Sequence, residues 1–430
     1  MPSLFGLLKK TYKMAKPHER KLVINNAVYL SALQFVTYLL PIIVVPYLFR
    51  VIGPEKFGLL AFAGAFTQYF AILTDYGFSV SATKEISLCG NNQKKIETVF
   101  SSVMAVKLIL TVLSMIIITL FVSLIPKFQN DWLVYLLNFG VVLGGTLFPN
   151  WFFQGREKMK YITALNIISG VMVTAFILSF VKKPADYIFV PFINSLGALL
   201  TGGLGQYIAF NRFKLKVRLP KYRDIVEQFG ASWNVFISIA AINAYTATRV
   251  FILGLFTNNV LTGFYSMAEN IANAVQSFPL GSFSQAVFPR LSKIFHTDRI
   301  KALRLMEHIQ QIAVLISAIC LPIIIIFAGP LIKLVCGMPY PETVLALRLL
   351  LIAVFFVTAN AFRVQFLLVC GKTDIYSKIH VIMALLGLPL ILILIGTFSY
   401  VGAAIATIIL EAGVFTVTYF VVKRLEIARQ

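Results

Sequence analysis

Along this chain, apolar stretches of about twenty residues or more recur from Leu22 nearly to the end, each closed by a short polar or basic segment. An α-helix rises roughly 1.5 Å per residue, so about twenty apolar residues cross the hydrocarbon of a bilayer. On that scale the pattern predicts twelve spans: Leu22–Phe49, Phe57–Ala82, Phe100–Ile125, Trp132–Phe153, Tyr161–Val181, Tyr187–Phe210, Phe229–Phe256, Leu261–Phe288, Met306–Ala328, Thr343–Val369, Ile375–Gly396 and Phe398–Val422. The fifth is short for a span, and only "GTFSYVG" parts the last two. The expected fold is an all-α integral membrane protein of about twelve transmembrane helices.

Composition agrees. Hydrophobic residues make up 59% of the 430 and charged residues 13%, where soluble domains carry roughly 25% charged residues. A soluble multidomain protein is excluded. The net charge is +21, and of the 38 Lys and Arg, 28 fall before the first span, in alternate loops and after the last span, counting Lys378 at the mouth of the eleventh. The opposite side holds Arg50, Lys56, Lys127, Lys182, Lys183 and Lys333. Short loops rich in Lys and Arg remain cytoplasmic, so both termini are expected there. The basic balance is then topology, and a nucleic-acid partner is not called for.

The first 21 residues place basic side chains ahead of a full-length span without a small-residue cleavage site, so no cleavable signal is expected. They read either as a solvated topogenic tail or as a helix lying on the membrane, with Leu4, Phe5, Leu8 and Tyr12 on one face. Cys89, Cys320, Cys336 and Cys370 are scattered, so neither a disulfide nor a metal site is expected.

The loop 211–227, with six Lys and Arg, separates spans six and seven. The expected organisation is a basic segment 1–21, a six-helix bundle 22–210, a cytoplasmic linker 211–227, a second six-helix bundle 228–422 and a tail 423–430. A weak repeat accompanies it, aligning Gly58 with Gly263 and Ala63 with Ala268. Two bundles of equal orientation imply a parallel pseudo-two-fold, the arrangement of transporters with a site between repeats. Prolines in or near spans, among them Pro41, Pro46, Pro279, Pro322 and Pro389, each remove a backbone hydrogen bond and permit bending. "GVVLG", Gly140–Gly144, has the spacing of closely packed helix pairs.

Seven Asp, Glu, Lys or Arg residues fall well inside the predicted spans, five or more positions from either end: Asp75, Lys107, Arg249, Glu269, Arg348, Arg363 and Glu411. Such groups face a cavity or one another and mark pathways. Arg249 and Glu269 stand at matching depths of adjacent antiparallel spans, as do Asp75 and Lys107, so each couple can be an ion pair or part of a pathway. Arg348 lies about a turn inside its span, where snorkelling accounts for it. Glu411 is near the middle of the last span, and Arg363 sits nearer the cytoplasmic end of the tenth.

Three stretches, "RVIGPEKFGLLAFAGAFTQYFAILTDYGFSVSATKEIS" (Arg50–Ser87), "PNWFFQGREKMKYIT" (Pro149–Thr163) and "GFYSMAENIANAVQSFPLGSFSQAVFPRLSK" (Gly263–Lys293), resemble the polysaccharide-synthesis flippases of the O-antigen flippase type. The likeness extends over nearly the whole chain. It implies a twelve-helix member of the multidrug/oligosaccharidyl-lipid/polysaccharide exporter superfamily in a bacterial inner membrane. The implied cargo is an undecaprenyl-pyrophosphate-linked oligosaccharide, and other polysaccharide-assembly proteins are candidate partners.

If the cargo carries pyrophosphate, guanidinium forks suit it, being bidentate and permanently charged. Arg249 and Arg363 are the candidates, with Asn243, Tyr245, Thr246, Thr248 and Asn360 as donors to sugar hydroxyls or as contacts between helices. No cofactor is expected. "GKT" at Gly371 has Phe366 in place of the first glycine of a phosphate-binding loop, so ATP is not the expected fuel. Low dielectric disfavours a charged carboxylate, which makes Glu411 and Asp75 candidates for proton coupling; Glu411 can equally be a hydrogen-bonded carboxyl between helices. The rival readings are a drug or cation antiporter of the same superfamily and a membrane polymerase or ligase. The latter would need catalytic groups on a sizeable outer loop, whereas His18, His296, His308 and His380 are all expected at or near the cytoplasmic face. No catalytic residue is assigned.

Overall fold

The computed structural model describes residues 17–216, 218–277, 299–370 and 372–427. The amphipathic face at Leu4–Tyr12, Pro279, His296, Gly371 and the third family stretch beyond residue 277 lie outside them. The described residues form helices joined by short turns, with no strand. In chain order these are α1 (Pro17–Asp75), α2 (Phe78–Leu88), α3 (Gln93–Leu124), α4 (Pro126–Gln129), α5 (Trp132–Leu147), α6 (Asn150–Gly155), α7 (Met159–Phe180) and α8 (Phe189–Phe213). They continue with α9 (Tyr222–Thr246), α10 (Thr248–Phe256), α11 (259–277), α12 (Arg299–Ile326), α13 (Ala328–Cys336), α14 (Pro341–Val369) and α15 (Thr373–Ile427).

Nine helical stretches among the described residues are long and apolar enough to cross a membrane. Two of them, Val36–Leu88 with 53 residues and Asp374–Arg424 with 51, are far too long for one crossing. Each is two arms meeting at a non-helical residue, Gly53 (φ 76°) in α1 and Ser399 (φ 54°) in α15. Glycine tolerates the left-handed backbone at the first turn, and Pro54 then opens the next arm where its missing N–H costs nothing. At the second turn, within "GTFSYVG", Gly402 lies against the Leu394 carbonyl, where any side chain would collide. Counting arms separately and adding the 259–277 helix gives the twelve spans that the hydropathy predicts.

The twelve spans form two six-helix bundles. In the first, α5 and α8 are seated on glycines: a Cβ on Gly140 would meet Ser195, one on Gly144 would meet Ala198, and one on Gly202 would meet the Gly144 carbonyl. "GVVLG" is therefore a helix-packing face. The second bundle packs α14 against both arms of α15, through Leu350, Leu351, Ile391, Ile395, Ala403 and Ala406, all buried. Arg218 ties the linker to the first bundle, its Nε 2.8 Å from Glu97 Oε2.

The bundles meet where α2 touches α9, the Ser81 and Ser232 hydroxyls being 2.7 Å apart, and again at the end that carries the Gly53 turn. Gly58 of α1 abuts Asn259 and Gly263 of α11, and Gly263 abuts Pro54, all through backbone atoms. Gly58 and Gly263 are the residues that the internal repeat equates, and equivalent residues in mutual contact are what a two-fold axis between repeats requires. Beside them Phe62 stacks on Phe251, ring centroids 5.3 Å apart. Two cations then clamp the seam. Lys127 Nζ, from the first bundle, donates to the carbonyls of Gly254, Leu255 and Thr257 at the C-terminus of α10. Arg50, also from the first bundle, donates to Leu334 and Val335 at the C-terminus of α13. Helix C-termini expose unpaired carbonyls and partial negative charge, so a cation stabilises each by about 0.3 to 1 kcal/mol.

Candidate functional site

Helix α9 ends at Thr246 and α10 starts at Thr248, so Arg249 opens a short helix at a break in the seventh span. Arg249 is only 9% exposed. Nη2 lies 3.2 Å from Glu269 Oε1 on α11, and Nη1 donates to Thr407 Oγ1 on the second arm of α15 at 2.9 Å. Glu411 follows Thr407 by one helical turn, on the same face, and acts electrostatically on Arg249. Three helices thus converge on one cation. Nε of Arg249 is buried with no hydrogen-bond partner among the described residues, a spare donor at a site already built around charge. The expected Arg249–Glu269 pair is present.

The second expected pair is looser. Lys107 is almost wholly buried, with Nζ 3.9 Å from Asp75 Oδ1 and 3.4 Å from the Gly145 carbonyl. Asp75 is the last residue of α1, where the helix breaks at Tyr76 and Gly77, both with positive φ. Gly77 is required there because a Cβ would press on Val235 and Phe236. The Tyr76 ring stacks on Phe236 at 4.7 Å, across the bundle interface.

Arg363 and Asn360, on α14, are not part of the Arg249 network. Arg363 donates to the Ala359 carbonyl at 2.7 Å and lies over the rings of Phe415 and Tyr419, 5.2 Å from each centroid. It lines a cavity of about 600 Å³ together with Glu307, Gln310, Gln311 and Lys423. Asn360 is buried, its Nδ2 3.5 Å from Thr418 Oγ1 and its Oδ1 without a partner among the described residues. Asn243 donates to the Ile239 carbonyl of its own helix. Arg348 is exposed and reaches the Ile325 carbonyl at 3.2 Å, as snorkelling requires. No group of three or more His, Cys, Asp or Glu that could hold a metal comes together among the described residues.

His380, expected at or near the cytoplasmic face, is an enclosed residue. It is buried inside the second bundle, where Nδ1 and the Tyr245 hydroxyl are 2.6 Å apart and the two rings stack. Tyr376, one turn earlier, meets the imidazole edge-on at 4.3 Å. Burial of α15 begins at Ile379 and His380, after an opening stretch in which Asp374 and Lys378 are exposed.

The first bundle holds an uncharged cavity that a search by charge passes over. About 580 Å³ in volume, it is lined by α1, α5, α7 and α8, with Gln68, Asn138, Asn166 and Asn194 as its amides. Each stands in an otherwise apolar helix, and that was the available signal: an amide in hydrocarbon also needs a partner. The two interiors touch. Tyr69, next to Gln68, donates to Thr248 Oγ1, next to Arg249, at 2.7 Å.

This architecture is known. The fold is similar to an inward-facing multidrug resistance MATE family transporter of the MOP superfamily, with TM-score 0.73, 15% identity, and 94% of this chain and 98% of that one covered. It is also similar to the lipid II flippase MurJ in an inward closed conformation, with TM-score 0.72, 14% identity, and 92% and 87% covered. In sequence, the chain is 29% identical over 388 residues to a candidate O-antigen transporter of Escherichia coli (strain K12), spanning 90% of this chain and 93% of that protein. Residues 23–295, well over half of the chain, match the family described as polysaccharide biosynthesis protein. The chain is thus a multi-pass membrane transporter that belongs to the polysaccharide biosynthesis protein family.

Proposed function

We propose that this protein carries an undecaprenyl-pyrophosphate-linked oligosaccharide from the cytoplasmic to the outer leaflet of a bacterial inner membrane, for O-antigen or another surface polysaccharide. The observation that carries the reading is the family match over residues 23–295. Movement is by alternating access between the bundles 22–210 and 228–422, joined by the cytoplasmic linker 211–227. With both termini cytoplasmic, the seam of Gly58, Gly263, Lys127 and Arg50 closes the outer side, and cargo loads from the inside. Labelling of Lys216→Cys by an impermeant reagent added outside intact cells would contradict this topology.

The roles follow from the geometry. A pyrophosphate oxygen takes the place of the Glu269 carboxylate at Arg249, with Nε as the added donor of a bidentate contact. Arg363 supplies a second cation, and Asn243 and Asn360 line the path. Glu411, close to Arg249, is the candidate for proton coupling, because exchange of Glu269 for phosphate changes the charge that it faces. A drug or cation antiporter is less well supported: the lining of the first bundle's cavity includes no carboxylate. No catalytic step is assigned, and other polysaccharide-assembly proteins are the expected partners.

The test is deletion of the gene in a strain with no redundant flippase. Surface polysaccharide should fall and its lipid-linked precursor should accumulate in the inner membrane. Persistence of long surface glycan, or polymerisation or ligation of glycan by the purified protein, would refute the reading.

A further inference from the structure

We propose that the cavity of the first bundle is a binding subsite for a neutral, polyhydroxylated ligand, the glycan part of the cargo. The proposal rests on the transport reading and adds to it where the sugar is held.

Four amides from four different helices converge on this space: Gln68 from α1, Asn138 from α5, Asn166 from α7 and Asn194 from α8. Its lining contains no Asp, Glu, Lys or Arg. A phosphate or a cation entering it would leave water and meet no opposite charge. A hydroxyl group donates one hydrogen bond and accepts others, and a primary amide offers two donors and a carbonyl in one plane, so amides complement sugars without charge. The volume, about 580 Å³, is in the range of cavities that enclose small organic ligands.

The amides are partly committed and partly open. Asn138 donates to Thr67 Oγ1 at 3.0 Å, and Thr67 in turn donates to the Ala63 carbonyl at 2.7 Å, so a short chain of bonds fixes that amide plane. Asn166 donates to the Ile162 carbonyl at 2.8 Å. Each keeps its side-chain carbonyl for another partner. The side chains of Gln68 and Asn194 make no hydrogen bond to any described residue, and Gln68 is exposed within the cavity. Open amides at membrane depth are satisfied by water or by cargo. The Phe148 ring and neighbouring valines give the same wall apolar patches, suited to the C–H faces of a sugar ring. Through Tyr69 and Thr248 this neutral space adjoins the Arg249 centre, so pyrophosphate and glycan of one molecule are accommodated side by side.

The experiment compares two probes on the purified full-length protein: the lipid-linked precursor extracted from the strain that carries the gene, and bare undecaprenyl pyrophosphate. Gln68→Leu and Asn194→Leu remove amides that hold nothing in the protein, and Gln68→Leu sits at an exposed position that packing does not depend on. Each should weaken binding of the precursor by about tenfold, as loss of one or two hydrogen bonds implies, and leave bare undecaprenyl pyrophosphate unchanged. Asn194→Gln, which keeps an amide, should recover most of the loss. Unchanged precursor binding in Gln68→Leu, or equal weakening for both probes, would overturn the subsite. A wild-type protein that binds both probes equally would also overturn it, leaving the transport reading intact, whereas a wild type that binds neither would overturn both.

Discussion

Arg249 in the second bundle and Asn194 in the first are both polar side chains in apolar helices, yet the protein treats them in opposite ways. Arg249 is buried and held by Thr407 and Glu269, while Asn194 is half-buried beside open space with no bond to a described residue. The difference follows from desolvation. An uncompensated ion in low dielectric costs several kcal/mol even after relaxation, so the protein must supply its counter-charge. A neutral amide costs less and is satisfied by a passing water. A transporter can therefore leave amides open for cargo at all times, but it exposes a charge only by exchanging one partner for another.

That contrast is easiest to break at Arg249. Arg249→Ala and Glu269→Ala should each destabilise the protein by about 3 to 5 kcal/mol, because each leaves a buried charge unpaired, and the double substitution should recover most of the loss. Thermal unfolding in detergent measures this. Transport should behave differently: if pyrophosphate meets Arg249, removal of Glu269 does not restore it, and Arg249→Lys, without the fork, remains poor. Full transport recovery in the double variant would reduce Arg249 to a structural ion.

The same cycle on Asp75 and Lys107 sharpens the comparison. At 3.9 Å, with the Asp75 side chain 37% exposed, their coupling should be about 1 kcal/mol or less. A coupling equal to that of Arg249 and Glu269 would contradict the weaker pairing that the longer distance and the exposure of Asp75 imply. The smallest effect is expected at the seam. Lys127→Met removes the cation from the C-terminus of α10 and should cost about 0.3 to 1 kcal/mol. Its readout is faster labelling of Asn259→Cys from outside; an unchanged rate would mean that the clamp plays no part in outer closure.

How far the sequence reaches differs between these features. The spans were legible because the requirement for about twenty apolar residues is local, and so was the turn in "GTFSYVG". Both ion pairs were legible from depth alone, since adjacent antiparallel spans place residues equidistant from a turn side by side. The cap made by Lys127 on α10 was not, because the two are joined only by the meeting of the bundles. The enclosure of His380 was not legible, because distance along a span does not report enclosure by neighbouring helices. The amides of the first bundle were overlooked for a different reason: one Asn in a span is unremarked, and only the fold shows that Asn138, Asn166 and Asn194 share a cavity.

The central claim, that the protein moves a lipid-linked oligosaccharide between leaflets, is tested most directly in proteoliposomes. The lipid-linked precursor is reconstituted with the purified protein, and a membrane-impermeant reagent that modifies the glycan is added outside. The account predicts that wild-type protein exposes essentially all of the precursor to the reagent, while vesicles without protein, or with Arg249→Ala at matched protein level, expose only the share in the outer leaflet. Modification confined to the outer leaflet in wild-type vesicles, with the protein shown to be folded and inserted, would contradict it.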